Sequence, residues 1–176
     1  MATKAWFDYS TYMANKLTQM QETYPDENWT DAKLNAAFEK AGFVGDSGAQ
    51  AHFLKYGHKE DVSPNEAFDA DYYYQAKAIQ YYGLKENGGL TKAEVEAKMS
   101  TYAKNMEGAI KAAGMDAWTH YVKYGTAEGV NPSNSFDTSD YMAAKVAARA
   151  GSMSEDEVYA AFKKAGFNAP LHAVCR

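Results

Sequence analysis

The chain has 176 residues, 46% hydrophobic and 23% charged, with a formal net charge of −5. That balance suits a folded domain or a short repeat array. The acidic charge argues against a nucleic-acid partner, which needs a basic face, and no run of 18 apolar residues is present to span a membrane. Aromatic side chains make up 14% of the residues, so much of the core is expected to be aromatic.

The opening residues, MATKAWF, carry no apolar stretch after Lys4 and do not read as a secretory signal peptide. The first predicted element starts at Phe7-Asp8 (FDYSTYMANK), and the same start returns at Phe68-Asp69 (FDADYYYQAK) and Phe136-Asp137 (FDTSDYMAAK). Asp8, Asp69 and Asp137 read as N-caps of a helix A. The preceding phenylalanines form a hydrophobic staple with Tyr12, Tyr73 and Tyr141 at the fourth helical position. Lys16, Lys77 and Lys145 follow one turn later, on what reads as a solvated face or as stems laid along aromatics.

A helix B is predicted after Trp29-Thr30, Leu90-Thr91 and Met153-Ser154. Leu34, Val95 and Val158 are the staple partners, and Glu94 and Glu157 complete capping boxes that the first copy lacks. Gly42, Gly114 and Gly166 suit the left-handed position after its last turn. In the middle copy Val95, Met99, Tyr102, Met106 and Ile110 form a helical stripe, and Gly108 is expected to kink or split that helix. A short helix C is predicted near 49–56 and 117–124, stopped by Gly57 and Gly125. Pro64 and Pro132 then hold an extended linker before the next Phe-Asp. After Phe136 the pattern runs as far as Phe167, and His172 falls near the place of His52 and His120.

The predicted fold class is therefore all-α: a helical repeat array with three helices per unit (A, B, C) joined by extended linkers. Repeat 1 covers residues 7–67, repeat 2, with its lengthened helix B, residues 68–135, and an incomplete repeat 3 residues 136–176.

Few residues offer chemistry. His52 and His120 recur once per unit without a second ligand at metal spacing, and read as hydrogen-bonded structural residues beside Tyr56-Gly57 and Tyr124-Gly125. Glu60 and Glu128 recur in Tyr-Gly-x-x-Glu, which suits capping or pairing with a lysine better than a two-carboxylate hydrolase. Asp8, Asp69 and Asp137 are the weak calcium candidates, because no EF-hand loop is present. Cys175 has no internal disulfide partner. Tyr72, Tyr73, Tyr74, Tyr81 and Tyr82 are too dense for one helix to bury, so some of them suit glycan or protein contact. No motif of a nucleophile, phosphate loop or metalloprotease occurs, so no enzyme and no cofactor other than calcium is expected.

The segment HYVKYGTAEGVNPSNSFDTSDYMAAK (120–145), like 52–77, resembles a helical repeat of bacterial secreted surface proteins. That repeat reads approximately H-Y-x-x-Y-G-x-x-E-G-R-x-P-N-x-x-F-D-x-x-x-Y-L, and occurs in S-layer-like proteins, RTX-type (hemolysin-type calcium-binding) proteins and adhesins. The chain departs from it in lacking Asn-Pro-Asp-Val after helix A and the Gly-rich calcium nonapeptides. The resemblance implies a bacterial structural protein, extracellular or at the cell surface, exported without an N-terminal signal peptide; a cytoplasmic location stays open. It also implies assembly; the incomplete third repeat adds the expectation of self-association as a head-to-tail oligomer or array, and the dense tyrosines the alternative of an accessory domain binding a glycan or another surface protein.

Overall fold

A computed structural model describes residues 6–83 and 92–164. These residues are mostly helical, joined by turns and two isolated β-bridges, so the fold is all-α. Leu90, Thr91, Gly166, His172 and Cys175 lie outside the described residues. The chain divides into two compact units, 1–70 and 71–176.

In the first unit α1 spans Tyr9–Thr23, α2 Asp31–Lys40 and α3 Gly45–Lys55, with single 3-10 turns at Pro25–Glu27 and Gly57–Glu60. The first two helices begin where the sequence supplies a cap, and α3 starts after Val44 with no side-chain cap. The Thr11 N–H donates to Asp8 at 2.7 Å, and the Phe7 ring lies 5.2 Å from the Tyr12 ring. The Lys33 N–H donates to the Thr30 hydroxyl at 3.3 Å. Gly42 ends α2 at φ 84, which lets the Phe43 N–H reach back to Phe38 O at 2.9 Å. Phe7, Tyr12, Leu34, Phe38 and Phe53 are buried between the three helices. Burying a ring of that size contributes on the order of 2 kcal/mol.

In the second unit α4 spans Ala70–Tyr82 and α5 Lys92–Ala112. A continuous helical path follows: α6 (Ala117–His120), a π-turn at Tyr121–Gly125, and α7 (Thr126–Glu128). Then come α8 (Thr138–Arg149) and α9 (Glu155–Lys164). Tyr73, Tyr74, Met106, Ile110, Val130 and Val158 are buried. The Asp137 carboxylate caps α8, accepting from the Ser139 and Asp140 N–H groups at 2.8 and 3.0 Å. Ser154 and Glu157 form a reciprocal capping box on α9.

Four expectations change. Gly108 does not split α5, which runs as one helix through it; one exposed glycine costs a helix only about 1 kcal/mol. Gly125 does not stop helix C, whereas in the first unit α3 does end at Lys55, just before Gly57. Gly125 has ordinary helical angles, φ −59 and ψ −38, and the left-handed stops are Asp61 at φ 56 and Gly129 at φ 67. The linker around Pro64 and Pro132 is a tight turn closed by the bridges Asn65–Phe68 and Ser133–Phe136, rather than an extended run. Lys16 and Lys77 are buried, so of the two readings offered for them the solvated face does not hold.

Candidate functional site

The recurrent polar residues come together in two arrangements, one per unit. In the first, α1 carries Tyr12 and Lys16 toward α3 and the turn that follows it. The Tyr12 hydroxyl lies 2.7 Å from His52 Nδ1. Lys16 Nζ donates to Glu60 Oε2 at 2.8 Å and to Gln19 Oε1 at 2.6 Å, and Gln19 Nε2 donates to Glu60 O at 3.0 Å. In the second, α4 does the same toward the α6–α7 path. The Tyr73 hydroxyl lies 2.7 Å from His120 Nδ1, and Lys77 Nζ donates to Glu128 at 2.7 Å and to Gln80 at 2.7 Å. Gln80 Nε2 closes the loop on Glu128 O at 2.9 Å.

The glycines explain themselves here. A Cβ on Gly57 would collide with the Tyr12 hydroxyl, and one on Gly125 with the Tyr73 hydroxyl. Each glycine is the floor on which a tyrosine sits, so both positions need a residue without a side chain. The same backbone bond follows in both units: Val62 N–H to Gly57 O and Val130 N–H to Gly125 O, each at 3.0 Å.

Electrostatics keep both Tyr–His pairs neutral. Burial pushes the Tyr12 and Tyr73 hydroxyls far above the usual phenol range, with Glu60 and Glu128 adding to the effect. Burial lowers both imidazoles. Lys16 lowers His52 further, while Glu60 opposes; at His120 Glu128 opposes and Lys77 lowers. One hydrogen therefore lies between two uncharged partners. Each carboxylate is held by a lysine. The arrangement can tie two helical segments together.

The remaining candidates are dispersed. Asp8 and Asp137 are held below the usual carboxylate range, Asp8 first by the Thr11 N–H and Asp137 first by the Ser139 hydroxyl. Both thus serve helix ends, and Asp69 sits exposed just before α4. Among the described residues no three His, Cys, Asp or Glu side chains gather as a metal site. Tyr56 and Tyr124 are exposed at 41% and 38%, and Lys55 and Lys123 lie over their rings at 4.9 and 5.0 Å. Of the tyrosine-rich stretch, Tyr73 and Tyr74 are buried, whereas Tyr81 is 70% and Tyr82 40% exposed.

The third Phe-Asp start differs. Phe136 and Tyr141 stack at 5.4 Å and Met142 is buried, yet Tyr141 is 40% exposed and Lys145 is exposed with its Nζ 5.2 Å from the Tyr141 ring. Sequence reasoning missed Gln19 and Gln80. The signal was present as Lys-x-x-Gln in the first two copies, where the third has Ala148.

Comparison of the chain with protein-family models, with curated proteins and with solved structures finds no match.

Proposed function

We propose that this protein is a non-enzymatic structural module, a helical repeat array of three helices per unit, with repeats at residues 7–67, 68–135 and 136–176. In this reading it works outside the cell or at a cell surface by assembling head to tail with repeats of its own kind, as a part of an S-layer, a filament or an adhesin. The observation that carries this is α8. It bears the start, the staple and the lysine of the two closed arrangements, but presents Tyr141 and Lys145 at the surface, where Tyr12 and Tyr73 are both at 0% exposure. Repeat arrays bury a continuous core only by stacking neighbours, so a repeat face left exposed is a face for the next repeat. A head-to-tail contact of this kind propagates without closing. The recurrent His, Glu and Lys residues of the first two units hold helices together, which supports a role without catalysis.

Multi-angle light scattering of the purified chain over a range of concentrations, with and without calcium, tests the reading. Association that grows with concentration is expected. A strict monomer at the highest concentration contradicts it. The RTX-like resemblance makes calcium the added variable, since it is the one cofactor expected of such proteins.

A second reading is supported by the exposed tyrosines at the end of α4. The Tyr81 and Tyr82 rings lie 5.0 Å apart, and Tyr82 is 4.6 Å from Tyr102. Such a surface suits a glycan or another surface protein. Glycan-array binding lost in Tyr81→Ala and Tyr82→Ala supports it; binding unchanged in both variants excludes those rings.

A further inference from the structure

A cleft of about 350 Å³ opens in the first unit, bordered by α1, by Trp29 just before α2, and by α2 and α3. Its volume lies at the small-ligand end of the range that binding pockets occupy. Rings supply much of its wall: Trp29, Phe38, Phe43, Tyr56 and the imidazole of His52. Phe43 stands edge-on to His52 and to Tyr56, with ring centres 5.0 and 6.0 Å apart, and Phe38 lies 4.3 Å from the imidazole.

The charge along this wall has one sign. Lys16 and Lys55 border the cleft, and none of the residues lining it is Asp or Glu. Lys16 is committed to Glu60 and Gln19. Lys55 is exposed and rests 4.9 Å above the Tyr56 ring, with no carboxylate partner among the described residues. His52 stands three residues earlier on α3, so the two side chains are neighbours on one helix face. The Tyr12 hydroxyl is buried, and His52 Nδ1 is its one hydrogen-bond partner among the described residues, so the hydroxyl donates there. The imidazole then carries its own hydrogen on Nε2, and that N–H has no acceptor among the described residues. A cation and an N–H donor thus stand one turn apart beside a ring-lined cleft. The geometry points to a binding site for a small aromatic carboxylate, whose ring packs against Phe43, Tyr56 and Trp29 while its carboxylate accepts from His52 Nε2 and pairs with Lys55.

The second unit keeps the polar part of this chemistry. His120, Lys123 and Tyr124 are spaced as His52, Lys55 and Tyr56 are, and Lys123 lies 5.0 Å above its ring. Ile110 and Met115, however, take the places of Phe38 and Phe43 at the end of the preceding helix. The same backbone bond marks both pairs, Phe43 N–H to Phe38 O and Met115 N–H to Ile110 O. The aromatic wall is therefore particular to the first unit, and one ligand per chain follows.

Titration of the full chain with indole-3-acetate, read by calorimetry and by the NMR signals of the imidazoles, tests the site. One molecule per chain is expected, moving the His52 signals and leaving those of His120 in place. Lys55→Glu, at an exposed position, weakens binding by about tenfold, the scale of one lost charge-assisted contact. Indole-3-acetamide, which keeps the ring and loses the charge, weakens it by a similar factor, and hexanoate, which keeps the charge and loses the ring, by several-fold. Phe43→Leu also lowers affinity, with circular dichroism checking that both variants keep their helices. No binding at about 1 mM indole-3-acetate overturns the inference. So does binding that ignores Lys55→Glu and the loss of the carboxylate, or that moves His120 as much as His52. Hexanoate binding as tightly as indole-3-acetate refutes the aromatic preference.

Discussion

Tyr12 and Tyr73 are fully buried phenols whose only polar atom is met by an imidazole, and this fixes what their neighbours are allowed to be. Gly57→Ala and Gly125→Ala each put a methyl group where a hydroxyl sits. Either the ring moves off its histidine or the helix shifts, and overpacking of this kind costs about 1–3 kcal/mol. Urea unfolding of each variant measures it; an unchanged midpoint for both would remove the close fit from the account. The histidines give stability a pH dependence of known sign. Their folded pKa values lie below the unfolded value of about 6.5, so the unfolded chain binds more protons as the solution is acidified. Stability is full above that value and falls as pH drops from about 7 toward 5. A further fall below about pH 4 comes from Asp8, Asp137 and Glu157, whose carboxylates are depressed by their helix-end hydrogen bonds. Denaturation at pH 8, 6 and 5 checks the first stage, and the slope flattens in a His52→Gln, His120→Gln variant. A flat profile in wild type would sink this part of the argument.

At the scale of a helix, the same start signal does the same work on α1 and α8, and the lysine one turn on decides how strongly the helix is tied down. Lys16 is 9% exposed at its side chain and Glu60 40%, so removing the acid leaves a cation in a place water reaches poorly. Glu60→Ala is expected to cost more than Lys16→Met, by about 1 kcal/mol, because methionine fills the stem and leaves no buried charge. A thermal-melt series on both single variants and the double checks the order; the reverse order refutes it. Much of this level was legible in the sequence. Phe-Asp starts, glycine ends at Gly42 and Gly114, and the Ser154–Glu157 box are local chemistry, and local chemistry can be read from neighbours in the chain. The roles of Gly57 and Gly125 were not legible. A glycine that ends a helix and a glycine that seats a ring from 45 residues or more away look alike until the ring is placed. The sequence left Lys16 and Lys77 open between a solvated face and a packed stem for the same reason, since their acid partners come from another element.

Over the whole molecule, two units contain one set of long-range contacts: Tyr to His, Lys to Glu, Gln to the same backbone carbonyl, and Tyr over Gly. The repeated motifs announced that the residues matter in pairs, and the sequence offered lysine pairing as one role for the glutamates. It did not say which histidine meets which tyrosine, because that needs the path of the chain between α1 and α3, and between α4 and α6. The cleft of about 350 Å³ in the first unit, whose walls include Lys16, Trp29, Leu34, Phe38, His52 and Tyr56, was likewise invisible, being made by packing of separate helices. An NMR pH titration of the imidazole signals of His52 and His120 tests the central claim, that one polar arrangement is built twice. Both should titrate below the ordinary imidazole range, and Tyr12→Phe should perturb His52 alone while Tyr73→Phe perturbs His120 alone. Two histidines titrating like free imidazole, each blind to its tyrosine, would contradict it.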